Sequence, residues 1–112
     1  MRTKTEIWVS AFLRVQFANG GFAAVLRRGA AEAGAIFAVH RKRGGAGDLY
    51  APAPQALVAE QDSDDRLFEI ALADADAATI EAYLERQVRF DSDCWVVEFE
   101  GESVPDILRR SL

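Results

Sequence analysis

A single cysteine, a single histidine, three prolines and no long apolar run set the first limits on this 112-residue chain. Cys94, with no second cysteine, cannot close an internal disulfide, which fits a reducing compartment. No stretch approaches the ~18 unbroken apolar residues of a membrane-spanning helix. The opening "MRTKTEIWVSAFLRVQ" places basic residues before apolar ones, as a secretory leader does. Glu6, Ser10, Arg14 and Gln16 break its apolar run, and "FANGG" is a poor cleavage site. A cytoplasmic protein without a membrane segment is the expectation. One histidine and one cysteine do not make a zinc site. The acidic runs "DSDD" and "DSD" lack the glycine and closing glutamate of a calcium loop. "NGG", "RRG" and "GGAG" are followed by no lysine-serine pair and open no helix, so they read as turns rather than phosphate loops. No metal and no cofactor are expected.

What is present is a sequence with enough apolar residues for one core. Half of the chain is hydrophobic, and its length matches a single domain over residues 1–112. Trp8, Ala11, Phe12, Val15 and Ala18 recur at helical spacing, which predicts a helix over 5–18 with Arg14 and Gln16 turned outward. "NGG" at 19–21 ends it. "FAAVLRR" (22–28) and "AIFAVHRKR" (35–43) read as two strands of a hairpin joined by "GAAEAG". "DLYAPAP" reads as a third strand placed by its prolines at an edge or bulge, and a second acidic turn falls at 61–65. Residues 67–72 alternate as a fourth strand. "ADADAATIEAYLERQV" is a helix capped by Asp74 or Asp76, with Ile80, Tyr83, Leu84 and Val88 as its buried stripe. "CWVVEFE" is the last strand, and "SVPDILRR" reads as a short helical turn started by Ser103 and Pro105. The class is α+β: one antiparallel or mixed five-stranded sheet, order α-β-β-β-β-α-β, with both main helices packed on one face.

The densest cluster of reactive side chains, "RFDSDCWVVEFEG" at 89–101, reads as a helix exit entering a strand. Trp95, Val97 and Phe99 alternate onto a core face, and Asp91 and Asp93 are turn formers that bond nearby backbone. An enzyme using Asp91, Asp93 and Arg14 would need a cleft and a companion base. His40, at the start of a basic run, reads as a surface residue, and nothing pairs it with Cys94. No catalytic residue is assigned.

Charge is unevenly spread. Residues 1–44 carry eight lysines and arginines against two glutamates, and the remainder carries five basic against sixteen acidic residues. Arg27, Arg28, Arg41, Lys42 and Arg43 are therefore the candidate anion- or partner-binding residues. Two arrangements are open. Basic and acidic strands can lie side by side and neutralise one another, as opposite charges across strands do, or the hairpin tip can project free toward phosphate or RNA. The aromatics that would stack on bases, Phe22, Phe37 and Tyr50, read as core, and the chain as a whole is acidic.

Several segments together resemble a family of short alphaproteobacterial proteins, domain of unknown function number 1491. They are "EIWVSAFLR" at 6–14, "VLRRG" at 25–29, "AGAIF" at 33–37, "LYAPAP" at 49–54 and "RFDSDCWVVEFE" at 89–100. Ser92 and Cys94 stand where the family commonly has proline and leucine, which speaks against a required thiol. The resemblance implies a bacterial cytoplasmic setting and an α+β fold, and carries no catalytic residue, cofactor or ligand. With no catalytic set and an open sheet, the expected role is a non-catalytic binding or regulatory module. It would act through a protein partner or self-association, with RNA or phosphate binding by the basic hairpin as the alternative and a small acidic-site enzyme as the second.

The core assignment is testable. Replacing Trp95 by alanine should cost about 3–5 kcal/mol, read as a large drop in the denaturation midpoint. A Trp95→Ala protein melting within a degree or two of the unmodified chain would show that the face is misassigned.

Overall fold

The computed structural model describes residues 3–54 and 66–110. The acidic turn expected at 61–65 lies outside the described residues. Two helices, α1 (Thr5–Ala18) and α2 (Ala77–Phe90), flank a mixed sheet. Its strands are β1 (Phe22–Arg27), β2 (Ile36–Arg41), β3 (Gly47–Pro52), β4 (Leu67–Ala75) and β5 (Trp95–Glu100), with a two-residue sixth, β6 (Arg109–Arg110). The α+β class, the two helices and the order α-β-β-β-β-α-β are as the sequence predicts.

Strand order corrects the expected hairpin. Across the sheet it runs β1-β5-β2-β3-β4-β6, so β5 lies between β1 and β2, antiparallel to the first and parallel to the second. The hairpins are instead β2–β3 and β3–β4. Residues 28–35 must therefore carry the chain over the width of an inserted strand, roughly 10 Å at the usual interstrand spacing. They do so against the start of β5. The Ala30 N–H donates to the Asp93 carbonyl at 2.9 Å, the Trp95 N–H to Ala35 at 2.7 Å, and the Trp95 indole Nε1–H to Ala30 at 2.7 Å. Gly29 and Gly34 are required here by contact, since a Cβ on either would collide with the Asp93 carbonyl oxygen.

The same loop seats α1. Lys4, at the N-cap position, offers no side-chain cap. The first free helix donors, the Thr5 and Glu6 N–H groups, instead reach the carbonyls of Glu32 and Ala31 at 3.3 and 3.0 Å. Thr5 Oγ1 donates to the Gly34 carbonyl and accepts from the Arg66 guanidinium, both at 2.9 Å. The residues of α1 that are buried are Thr5, Trp8, Val9, Phe12 and Gln16, a 3–4 spacing that defines one face. Gln16 is thus turned inward, contrary to the expectation, because its Nε2 donates to the Glu100 carbonyl at 2.6 Å and ties the helix end to β5.

The two helices lie on opposite faces of the sheet, which corrects the expectation that both pack on one. Alternation along β2 shows why. Ile36 and Ala38 join Trp8, Phe12, Tyr50, Phe68, Trp95, Val97 and Phe99 beneath α1. Phe37 and Val39 join Leu49, Ala51, Ile80 and Cys94 beneath α2. A central strand apolar on both faces needs cover on both. Asp76 is the α2 cap, its Oδ1 accepting from the Thr79 N–H at 2.7 Å. Of the predicted α2 stripe only Ile80 is fully buried; Tyr83, Leu84 and Val88 are half-buried.

The expected C-terminal turn is a single hydrogen-bonded one, the Leu108 N–H donating to the Pro105 carbonyl at 3.0 Å, and the chain then enters β6, which pairs parallel with β4. Val104, Ile107 and Leu108 pack onto the α1-side core. One turn after a proline is too short to offset helix nucleation, and burial decides the path.

Gly34→Ala should destabilise the chain by about 1–3 kcal/mol, the usual cost of forcing extra atoms into a packed contact. Chemical denaturation reads this directly, and an unchanged midpoint would contradict the docking of residues 28–35 on β5.

Candidate functional site

The five basic candidates do not converge. Arg27 and Arg28 stand at the end of β1 that lies beside the start of β5, whereas Arg41 pairs in register with Glu100 at the far end. Arg28 lies over the Trp95 ring at 4.8 Å and 3.9 Å from Glu6. Arg41 Nε is 3.1 Å from Glu98 Oε1, and Lys42 Nζ is 3.1 Å from Asp48 Oδ2. The acidic strand β5 is thus the sheet neighbour of both basic strands, as internal pairing requires. Glu98 takes Arg41 as its partner, while His40 sits opposite Phe99.

His40 is buried rather than on the surface. Its ring stacks on Phe99 at 4.5 Å, and its Nε2 donates to the Gly101 carbonyl at 2.8 Å. The β2–β3 turn is one 3-10 turn, Arg43–Gly45, with Gly44 and Gly45 at φ 83 and 91. Arg43 is exposed there, and Glu100 and Glu102 line the same hollow as His40, Arg41 and Lys42.

The carboxylate pair of the opening motif is turn chemistry. Asp91 Oδ1 accepts from the Asp93 N–H at 3.0 Å, and both residues are exposed. Arg14 is exposed on α1. Cys94 is fully buried beneath α2, and burial pushes its thiol up despite the Arg27 guanidinium beside it. A neutral, enclosed thiol is not a nucleophile. Among the described residues no group of three His, Cys, Asp or Glu side chains could hold a metal ion.

Arg27 and Arg41 share a second hollow, together with residues that the sequence did not mark as candidates for binding. Between α2 and the β1–β5–β2 part of the sheet lies a groove of about 770 Å³. Leu26 and Val96 floor it from the sheet; Ile80, Leu84 and Val88 wall it from α2. Arg27, Arg41 and Arg89 stand around it with Glu81 and Glu85. A bulge between Val25 and Arg27 creates this arrangement. In a regular strand Leu26 and Arg27 would point to opposite faces; the bulge re-aims them so that both line the groove. Arg27 donates to the Ser92 carbonyl at 2.8 Å, and its Nε is buried with no hydrogen-bond partner among the described residues. No regular alternation would have found this pair; the half-apolar flank of α2 was the only signal.

Among the described residues no helix is long and apolar enough to cross a membrane. The family model described as protein of unknown function (DUF1491) matches residues 3–109. The solution structure of protein Atu0922 from A. tumefaciens is similar at 49% identity and TM-score 0.83, over 96% of this chain and 93% of that one. The crystal structure of a DUF1491 family protein from Caulobacter crescentus CB15 is similar at 30% identity and TM-score 0.78, over the full length of both. The NMR structure of a DUF1491 family protein from the same organism gives 30% identity and TM-score 0.76, over 100% and 99%. No curated protein matches the chain.

Asp48 generates a pH prediction. Burial alone would raise its carboxyl, but the Asp74 N–H, at 2.8 Å, and the Lys42 ammonium outweigh that and hold it below the ordinary value. A carboxyl depressed in the folded state adds stability above its unfolded value, and that increment disappears as pH falls through the folded value. Asp48→Asn should therefore melt lower than the unmodified chain at neutral pH, with the gap closing below about pH 4. Thermal melts from pH 7 downward check it.

Proposed function

We propose, for a chain that belongs to the family described as protein of unknown function (DUF1491), that it is a non-catalytic binding module joining a partner protein by strand addition at β1. The character of that edge carries the reading. Among the described residues β1 pairs with β5 alone, leaving one row of backbone N–H and C=O groups directed away from the sheet. Its sequence, FAAVLR, has no proline, no lysine and no charge before Arg27, and its bulge falls only beyond Val25, so Phe22 to Val25 form a regular stretch without the devices that normally blunt an open edge. Phe22 was expected in the core, yet it is 45% exposed, Leu26 is 48% exposed, and Phe17 meets Phe22 edge-to-face at 5.9 Å. Backbone pairing with flanking apolar contacts is how extended segments are recognised by sheet edges. On the other side of the sheet β4 is partly covered by β6 and carries Glu69 and Asp74, which favours β1.

The nucleic-acid reading has less support. Arg41 and Lys42 already have carboxylate partners, and Glu100 and Glu102 share the hollow with Arg43. Such a site would be unfavourable to a phosphate backbone.

A photoreactive residue at position 22 should crosslink a partner protein in cells, while the same residue at Ile7, exposed on α1, should not. The trapped segment, supplied as a peptide, should slow hydrogen exchange of the β1 amides, and Phe22→Lys should remove the effect. Equal crosslinking from both positions, crosslinks only to a second copy of the chain, or unchanged β1 exchange would contradict strand addition by a partner.

A further inference from the structure

We propose that the groove beside α2 is a binding site for a single amphipathic anion, an acyl chain ending in a carboxylate. The site lies on the α2 side of the sheet and shares Leu26 with the β1 edge contact, but its occupant is a small molecule rather than an added strand. Its volume, about 770 Å³, falls within the roughly 300–1,000 Å³ typical of small-molecule pockets. Its floor and wall, Leu26, Val96, Ile80, Leu84 and Val88, form an apolar track, with Arg27, Arg41, Arg89, Glu81 and Glu85 as the charged part of the lining. Such a track gains by taking hydrocarbon out of water.

Charge decides which end of the track receives the head group. Arg89 lies in the last turn of α2, and Arg27 reaches the carbonyl of Ser92 just beyond that helix. Both stand where α2 gives way to β5, and neither has an ion-pair partner among the described residues. The Nε of Arg27 is buried with no hydrogen-bond partner among the described residues, which a structure ordinarily avoids. A carboxylate at this end would meet a planar guanidinium suited to two parallel bonds. At the other end Arg41 is held by Glu98 at 3.1 Å and Glu81 lines the helix lip, while Glu85 stands one turn before Arg89. That end repels a second negative group. The polarity suits one anionic head and an apolar tail running back along α2, and it disfavours both a polyanion and a cationic head.

The test is an NMR titration of the isotope-labelled chain with dodecanoate below its micelle concentration. Dodecyltrimethylammonium and vesicles of anionic phospholipid serve as parallel probes. Dodecanoate should give saturable shifts at Leu26, Ile80, Leu84, Val88 and Val96, and the cationic detergent none. Arg89→Ala, at an exposed helix position, should weaken binding roughly tenfold, the equivalent of one charge-assisted contact. Arg89→Lys should recover part of it, and Phe22→Lys should leave it unchanged. Equal binding of the cationic detergent, shifts away from the groove, unaltered affinity in Arg89→Ala, or capture from vesicles but not of free dodecanoate would overturn the proposal.

Discussion

The structure depends on the docking of the start of β5 against residues 28–35. Trp95 is the centre of it. Its backbone N–H and its indole N–H are both used by that loop, at 2.7 Å each, and its ring is buried among the side chains beneath α1. Because the loop also supplies the carbonyls that receive the first donors of α1, one contact region joins three elements distant in sequence: α1, the β1–β2 connection and β5. Two glycines make the approach close enough, and any side chain at those positions would push the loop from the Asp93 carbonyl.

Inserting β5 between β1 and β2 also settles the charge distribution. The basic residues belong to the strands on either side, the acidic ones to the strand between them. Charges that look segregated along the chain become neighbours across the sheet, and Arg41 with Glu98 is the direct case. The pair is partly buried, which weakens solvent screening relative to a surface pair. Arg27 is the exception, because the bulge carries it past its neighbour's register and onto the α2 side.

Helices on opposite faces divide the core in two and leave cover unequal. On one side α1 and the chain after β5 seal the aromatic cluster of Trp8, Phe12, Phe68 and Phe99. On the other, α2 seals the β2–β3 region with Ile80 while Leu84 and Val88 remain half-buried along the flank facing β5 and β1. A helix about 10 Å across covers only two or three strands spaced near 4.8 Å. A single helix on that face therefore leaves a groove over the remaining strands, and Arg27 and Arg89, without ion-pair partners among the described residues, line it.

The sequence by itself determined the elements whose cause is local. The helical periodicities at 5–18 and within 73–88, a cap at Asp74 or Asp76, the alternation of Trp95, Val97 and Phe99 and the turn role of Asp91 and Asp93 all follow from neighbours a few residues apart. The burial of Cys94, which removes it from chemistry, was decided by tertiary structure, although its place among apolar strand residues pointed that way. Strand order, the opposite placement of the helices, the inward turn of Gln16 and the stacking of His40 on Phe99 were not legible. Each is set by partners some sixty or more residues away, and a period of 2 or 3.6 states which side chains share a face without stating what covers it. The candidate site was half visible. Arg27 and Arg41 could be named from charge, but Arg89, Leu26 and Val96 join them only because a one-residue bulge and an inserted strand bring three sheet strands beneath one helix.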